Sequence, residues 1–249
     1  MRGALLTLLL ALTACPPKHP EPVVVTDPLA LLARAEAEMP STPRASTFSV
    51  RIDTPDQHVS ANGTLVVAPP DRFRLEVRPP IGPPALIVAS DGTSLWAWQA
   101  GKQIFWEAPD ADAVFGERGL GMETLAALLL GRLPTGLGEP VLADVGYVWT
   151  REGVEVRAKL DPATAELAWF EARDADGTVW AAMSANVPEL VREYRIPSLG
   201  AEVRIDLDAW GEAKPDPSVF TLTPPEGAER KRLRVGPGVG AVVHQPRAW

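Results

Sequence analysis

The chain has 249 residues, of which 46% are hydrophobic and 22% are charged, and its formal net charge is −8. This composition is that of a globular protein, and the length suits one large β domain or two small ones. An acidic chain without a broad basic face cannot neutralise a run of phosphates, so the composition argues against nucleic acid as a partner.

The first residues have the three-part layout of a secretory signal. Arg2 supplies a positive charge, an apolar run follows over residues 4–12, and the segment ends in Leu12-Thr13-Ala14-Cys15. The apolar run is too short to span a bilayer as a helix. The ending resembles the bacterial lipobox, which implies cleavage after residue 14 and acylation of the cysteine. We therefore expect a lipoprotein signal peptide over residues 1–14, with an ordinary signal and an incidental cysteine as the alternative.

Cys15 is the single cysteine of the chain. An exported domain with one cysteine has no intramolecular disulfide, so a lipid acceptor explains the thiol better. Two or more acyl chains give durable membrane anchoring. Pro16 rather than aspartate follows, which by analogy with enteric bacteria favours the outer membrane. We expect a lipid-anchored protein of the outer membrane that faces the periplasm, with the proline-rich residues 15–27 as its tether.

A short helix is predicted directly after the tether. Asp27 can cap the first turn and Pro28 is compatible with it, while the helical pattern continues to Met39. Pro40 ends the pattern.

From Ser46 onward the hydrophobic period changes from helical to two. Apolar and polar residues alternate over five segments, namely 48–52, 59–67, 72–78, 154–160 and 202–208. Strict alternation is typical of an antiparallel sheet with one apolar and one solvated face. With the turn signals between the segments, the pattern predicts about eleven strands.

A second helix is predicted over residues 121–131, which are apolar around most of the helical circumference and must therefore be covered. We expect a mainly β fold: a strongly curved antiparallel half-barrel whose apolar concave face is covered by two or three helices. The segment 224–249 is rich in proline, glycine and basic residues, and we interpret it as a tail.

The residues do not indicate catalysis. Of the three histidines, only His58 falls in the predicted sheet, and no cluster has metal-ligand spacing. A nucleophile elbow and a glycine-rich phosphate loop are also missing from the sequence. The sequence alone does not exclude a pair of carboxylates that could catalyse hydrolysis. We expect a protein that is not an enzyme and that needs no metal or cofactor.

Eight tryptophans occur in the chain, and six lie on or near predicted strands. For any single tryptophan, core filling is the simpler explanation. However, a half-barrel covered by two helices can leave part of its concavity unfilled, and an apolar cavity suits a lipid or acyl chain. The candidate lining residues, taken from the apolar sheet face and the covering helix, are Phe73, Leu75, Val77, Leu86, Trp96, Trp106, Leu125 and Leu129.

Several motifs support a family resemblance. The first group contains Phe48-Ser-Val-Arg-Ile, Pro70-Asp-Arg-Phe-Arg-Leu-Glu and Ser90-Asp-Gly-Thr-Ser-Leu-Trp; the second contains Pro80-Ile81-Gly82, Leu128-Leu-Leu-Gly-Arg-Leu-Pro134 and Gly200-Ala-Glu-Val-Arg-Ile-Asp-Leu-Asp-Ala-Trp210. The first group resembles the lipoprotein-carrier fold shared by the periplasmic chaperone LolA and the outer-membrane receptor LolB. The second group leans towards LolB. The resemblance covers residues 28–223, which we therefore treat as one β domain.

This resemblance implies a monomeric receptor that takes acylated lipoproteins from a periplasmic carrier and releases them into the outer membrane. It also implies that Ile81, between Pro80 and Gly82 at a loop tip, inserts into the membrane. Prolines stiffen such a loop and hold an apolar side chain in water. The alternative for Ile81 is an ordinary loop plug that folds back onto the sheet.

Residues 216–227 depart from LolB and resemble the closing strand of the soluble carrier. One fold can host several functions, so a second hypothesis stays open. It is a lipid-sensing, regulatory or assembly-scaffold lipoprotein of the same fold that has no transfer activity.

Overall fold

The computed structural model describes residues 26–55, 58–79, 81–115, 121–144, 146–151, 153–186, 190–196 and 200–233. The predicted signal peptide, the lipidated Cys15, most of the tether and Pro80 lie outside the described residues.

Fifteen strands within the described residues form one sheet. The first eight are β1 (Arg44–Asp53), β2 (His58–Ala68), β3 (Arg72–Arg78), β4 (Leu86–Asp91), β5 (Leu95–Gln99), β6 (Ile104–Ala108), β7 (Val141–Ala143) and β8 (Gly146–Arg151). The others are β9 (Val154–Leu160), β10 (Leu167–Arg173), β11 (Val179–Asn186), β12 (Val191–Ile196), β13 (Ala201–Leu207), β14 (Gly211–Glu212) and β15 (Glu229–Arg232). The spatial order is β15-β6-β5-β4-β3-β2-β1-β13-β12-β11-β10-β9-β8-β7, and β14 pairs with β1.

The sheet is curved. It is also open, because the strands at its two ends do not pair with each other. All pairings within the described residues are antiparallel except that of β15 with β6. The prediction of a mainly β, antiparallel half-barrel is therefore confirmed. The sheet has more strands than the expected number of about eleven, and three of the additional strands, β7, β14 and β15, have only three, two and four residues. Alternation cannot be recognised over so few positions.

Three helices accompany the sheet in the described residues: α1 (Pro28–Ala37), α2 (Asp112–Phe115) and α3 (Met122–Leu130). At the start of α1, Asp27 Oδ1 accepts a hydrogen bond from the amide of Leu29 at 3.0 Å, so this residue caps the helix as predicted. At the end of α3, Gly131 has a left-handed backbone with φ +70°.

The helices cover the apolar face of the sheet in two core clusters. Buried residues of α1, including Leu31 and Ala35, join the cluster formed with β8–β11. Residues of α2 and α3, including Val114 and Met122, join the cluster formed with β1–β3, β5, β6 and β13. We call this covered face the concave face and the opposite one the convex face.

A buried cation fixes the end of α3. Arg192 on β12 is 5% exposed, and its guanidinium donates hydrogen bonds to the carbonyl oxygens of Leu129 and, at 3.0 Å, Leu130. These carbonyls belong to the last turn of the helix, which has no helical amides left to bind them. The positive charge also complements the negative end of the helix dipole. Arg192 therefore ties the covering helix to the sheet.

The chain after β14 crosses the convex face. Phe220 is 2% exposed and lies under the guanidinium of Arg72, whose carbon is 5.4 Å from the ring centroid. The carbonyl oxygen of Val219 accepts a hydrogen bond from Arg74 Nη1 at 3.0 Å. The segment then reaches β6 and forms β15 there. The sheet thus continues beyond residue 223, where the sequence analysis placed the end of the domain.

Candidate functional site: an apolar mouth on the concave face

Cross-strand register determines which of the predicted cavity residues share a face. Directly opposed residues of antiparallel strands project to the same side of a sheet. One row joins Leu75, Val88, Ala97 and Trp106, and the adjacent row joins Val77, Leu86, Gln99 and Ile104. Leu75, Val77, Leu86 and Trp106 therefore lie together with Phe73 on the concave face. Leu125 and Leu129 of α3 pack against the same core cluster.

Trp96 was placed in this group by the sequence analysis, and the structure corrects that placement. It pairs with Ala89 on β4 and Glu107 on β6, one position out of step with the row of Leu75, and so projects to the convex face. The reason lies in residues 95–98, Leu-Trp-Ala-Trp, which are hydrophobic on both faces. An alternation of period two cannot show which face of such a strand is buried. The register of β5 with β4 and β6 determines the side to which each residue projects.

The concave face is closed at one end of the strands. On the side towards α2 and α3 the core residues are almost fully buried: Val67 is 0% exposed, Leu65 and Phe73 are 2%, and Ala108 is 3%. Phe73 and Leu129, both nominated as cavity residues, belong to this closed part and fill it.

Towards the other end of the same strands the concave face becomes exposed. Each of β1–β6 passes from a buried residue to half-buried or exposed ones on this face. They are Ile52, Val59, Ala61, Leu75, Val77, Leu86, Val88, Ala97, Ile104 and Trp106. Val59 is the most exposed of them, at 38%. We call this surface, with the half-buried Leu125 of α3, the apolar mouth. Contiguous apolar surface left in water is unfavourable and typically marks a binding site.

Sequence reasoning missed part of this surface. The alternation predicts Ile52 and Val59 as strand residues, but it does not mark them as part of a site. The same holds for Val88, Ala97 and Ile104. Their signal, an apolar residue every second position, is the same as for core residues. What separates the two groups is whether a helix covers them, which alternation does not encode.

The loop between β3 and β4 lies at the open end of the mouth. Ile81 is 92% exposed, so it is not folded back as a plug. The hairpin closes just before it, where the amide of Ala85 donates to the carbonyl of Val77 at 2.8 Å. Gly82 has φ +118°, a conformation that favours glycine, and Pro83 follows. The loop thus holds an isoleucine in water beside the mouth.

The convex side of β3 carries charged residues, in contrast to the apolar mouth on its concave side. Burial opposes the charge of Glu76, but hydrogen bonds and positive charges from Arg74 and Arg78 outweigh it and lower the pKa of this carboxyl. The Arg74–Glu76 ion pair has an N–O distance of 2.6 Å. Ionised groups therefore line the convex side of this strand and apolar groups its concave side.

A separate apolar cavity of about 360 Å³ lies at the closed end of the sheet. It is bounded by Met39 after α1, by Pro69 and Pro70 between β2 and β3, and by Ala127 and Leu130 of α3. This cavity was not anticipated from the sequence, because three distant segments form its walls.

The described tryptophan side chains do not fill the mouth. Trp149 is 3% exposed and stacks on Tyr147 in the other core cluster, with ring centroids 5.9 Å apart. Trp98 and Trp169 project to the convex face by their register. Trp210 packs against the core cluster under α3, with the guanidinium carbon of Arg192 5.8 Å from its ring centroid. Trp106, by its register, lies in the mouth.

In the described part of the chain, no group of three or more His, Cys, Asp and Glu residues could hold a metal ion. None of its helices is both long enough and apolar enough to cross a membrane.

Comparisons with known proteins relate the fold to solved structures. No protein-family model matches the chain, and no curated protein matches it. A DUF1329 family protein from Desulfovibrio piger superposes with a TM-score of 0.52 at 11% identity, covering 79% of this chain and 98% of its own. A LolA superfamily protein from Nitrosomonas europaea superposes with a TM-score of 0.50 at 12% identity, covering 78% and 97%. At such identities the likeness shows the fold alone, and the fold is LolA-like.

Proposed function

We propose that this protein is a lipid-anchored receptor that accepts lipoproteins from a soluble carrier. It binds their acyl chains in the apolar mouth and helps to insert the lipoproteins into the outer membrane. The observation that carries the proposal is the burial gradient along the concave face. The same strands that form a closed core under α3 end in apolar residues that are half-buried or, at Val59, exposed. A core that is sealed at one end and open at the other suits a chain-shaped apolar ligand.

The energetics of such a ligand are favourable. Each methylene buried contributes about 0.8 kcal/mol, so ten methylenes laid along the mouth contribute ~8 kcal/mol before the entropic cost of binding. No bond is made or broken, and no nucleotide is required. Binding of this size is reversible, as delivery to a membrane demands.

Ile81 has a distinct role in the proposal. A single exposed aliphatic side chain on a proline-stiffened loop can enter the bilayer interface while the mouth lies next to it. Ile81, Pro80 and Gly82 would then form the membrane-insertion loop. Lipidation of Cys15 would keep this loop near the outer membrane, and a soluble periplasmic carrier would supply the acylated lipoproteins.

A second function uses the same mouth. A lipid-sensing or regulatory lipoprotein would retain an acyl chain in it without passing cargo to the membrane. The partial cover over Leu75 and Leu125, both only half-buried, is compatible with such retention. The two functions differ in whether the ligand leaves again.

The test uses a soluble form without residues 1–15, mixed with a carrier protein loaded with an acylated lipoprotein. We expect the cargo to move to this protein and then to liposomes. Ala97→Trp should block the mouth, since Ala97 is a small residue at its centre, whereas Thr150→Trp on the exposed side of β8 should not.

Three outcomes separate the functions. Transfer that is lost only in the Ala97 variant supports the receptor. Uptake of an acyl chain without release to liposomes supports the sensor. A folded protein that binds no acyl chain refutes both and leaves an assembly scaffold.

A further inference from the structure

A polar groove lies on the convex face, on the opposite side of the sheet from the apolar mouth. It has a volume of about 390 Å³, which is within the usual size of small-molecule sites. Register arranges its walls in two rows across β1, β13, β12, β11 and β10. The first row is Arg51, Arg204, Glu193, Ser184 and Trp169, and the second is Asp53, Glu202, Arg195 and Ala182. We call this site the convex groove.

The shape of the groove comes from small residues on its central strand. Ala182 and Ser184 of β11 stand between Trp169 on β10 and Arg195 on β12. Because both are small, space remains next to the indole, which is half-buried and not enclosed in either core cluster. An aromatic wall on the outer face of a sheet is not needed for core packing.

The charges of the groove balance, since three arginines face three carboxylates. Some of them hold each other in place: Arg204 contacts Glu193 at 3.2 Å, and Arg51 contacts Asp53 at 3.5 Å. The lining residues therefore carry no net charge that would favour an anion or a cation. This balance favours a neutral ligand that offers both donors and acceptors.

Two side chains are available to such a ligand. Within the described residues, neither Arg195 nor Glu202 has an ion-pair or side-chain hydrogen-bond partner, although they are directly opposed across β12 and β13. Both are exposed. A guanidinium offers up to five donors and a carboxylate two acceptor oxygens, so the pair can serve two adjacent hydroxyl groups.

We propose that the convex groove binds a pyranose ring of a neutral oligosaccharide. A pyranose has one face of C–H groups, which packs against the electron-rich face of an indole such as Trp169. Its edge carries hydroxyl groups, which match the donors of Arg195 and the acceptors of Glu202. The proposal is independent of acyl binding, because the two sites lie on opposite faces of the sheet.

The test is saturation-transfer NMR and calorimetry on the full-length protein, kept in a detergent without a sugar headgroup. The probes are cellotriose, maltotriose and triacetylchitotriose. We expect at least one to bind with a Kd at or below about 10 mM, with saturation strongest on the C–H protons of one ring face. Trp169→Ala should weaken that binding about tenfold or more, because the stacking surface is lost.

A second variant guards against a simple folding defect. Ser184 is exposed, so Ser184→Arg fills the groove without disturbing the core and should abolish saccharide binding. Thr150→Arg adds the same charge to an exposed position of β8 outside the groove and should leave binding intact. If no probe binds the native protein, or if Ser184→Arg and Thr150→Arg bind equally well, the proposal is wrong.

Discussion

The attachment of α3 to Arg192 makes a quantitative prediction about two glycines. Gly131 and Gly136 have nearly the same left-handed φ, +70° and +71°. Alanine in this conformation costs about 1–2 kcal/mol at either position. Their surroundings differ: a Cβ at Gly131 would lie 2.5 Å from Nη2 of Arg192, whereas a Cβ at Gly136 would have nothing within 4 Å.

Gly131→Ala should therefore also displace the guanidinium. Moving it breaks the hydrogen bonds to Leu129 and Leu130, and each buried carbonyl left without a donor costs ~1–3 kcal/mol. We expect Gly131→Ala to lower the free energy of unfolding by about 3–8 kcal/mol and Gly136→Ala by about 1–2 kcal/mol. Urea denaturation followed by circular dichroism measures both values.

A double-mutant cycle isolates the contact. In an Arg192→Met background, the cost of Gly131→Ala should fall to that of Gly136→Ala, because the clashing group is gone. Equal losses for the two glycine variants in the native background would refute the reasoning. So would a cost for Gly131→Ala that is unchanged when Arg192 is replaced.

Three further predictions concern the loop, the cap and the charge cluster. Ile81→Glu should leave the unfolding midpoint unchanged, since the side chain is 92% exposed, but should reduce cargo delivery to liposomes; normal delivery would exclude an insertion role. Asp27→Ala should destabilise α1 by about 1 kcal/mol in thermal unfolding, with Asp27→Asn close to wild type. Glu76→Gln should destabilise the protein at neutral pH. Arg74 and Arg78 lower the pKa of Glu76 in the folded state, so the ionised carboxylate stabilises the fold at any pH above the ordinary pKa of 4.5. That difference should shrink as the pH falls through the folded pKa, and a pH-independent difference would contradict the assignment.

The sequence by itself determined the local elements of this protein. Alternation identified the long strands, and it oriented β1, β2 and β3 correctly, because most apolar residues of each strand fall on every second position. The cap at Asp27 and the glycine after α3 gave the helix limits to within two residues. These features depend on neighbours within a few positions, so they can be recognised without the fold.

The tertiary structure alone decided how the faces are used. Trp96 turned to the convex side because register with β4 and β6 orients a strand that is hydrophobic on both faces. Phe220 and β15 joined the sheet by a path across its back, which no local pattern foretells.

The same holds for the two candidate sites. The apolar mouth and the core share one alternation pattern. They differ only in that α3 covers the core residues and leaves the mouth residues uncovered. The convex groove combines residues of five strands that register brings together. Side-chain period is a property of one strand, whereas burial and proximity are properties of the assembled sheet.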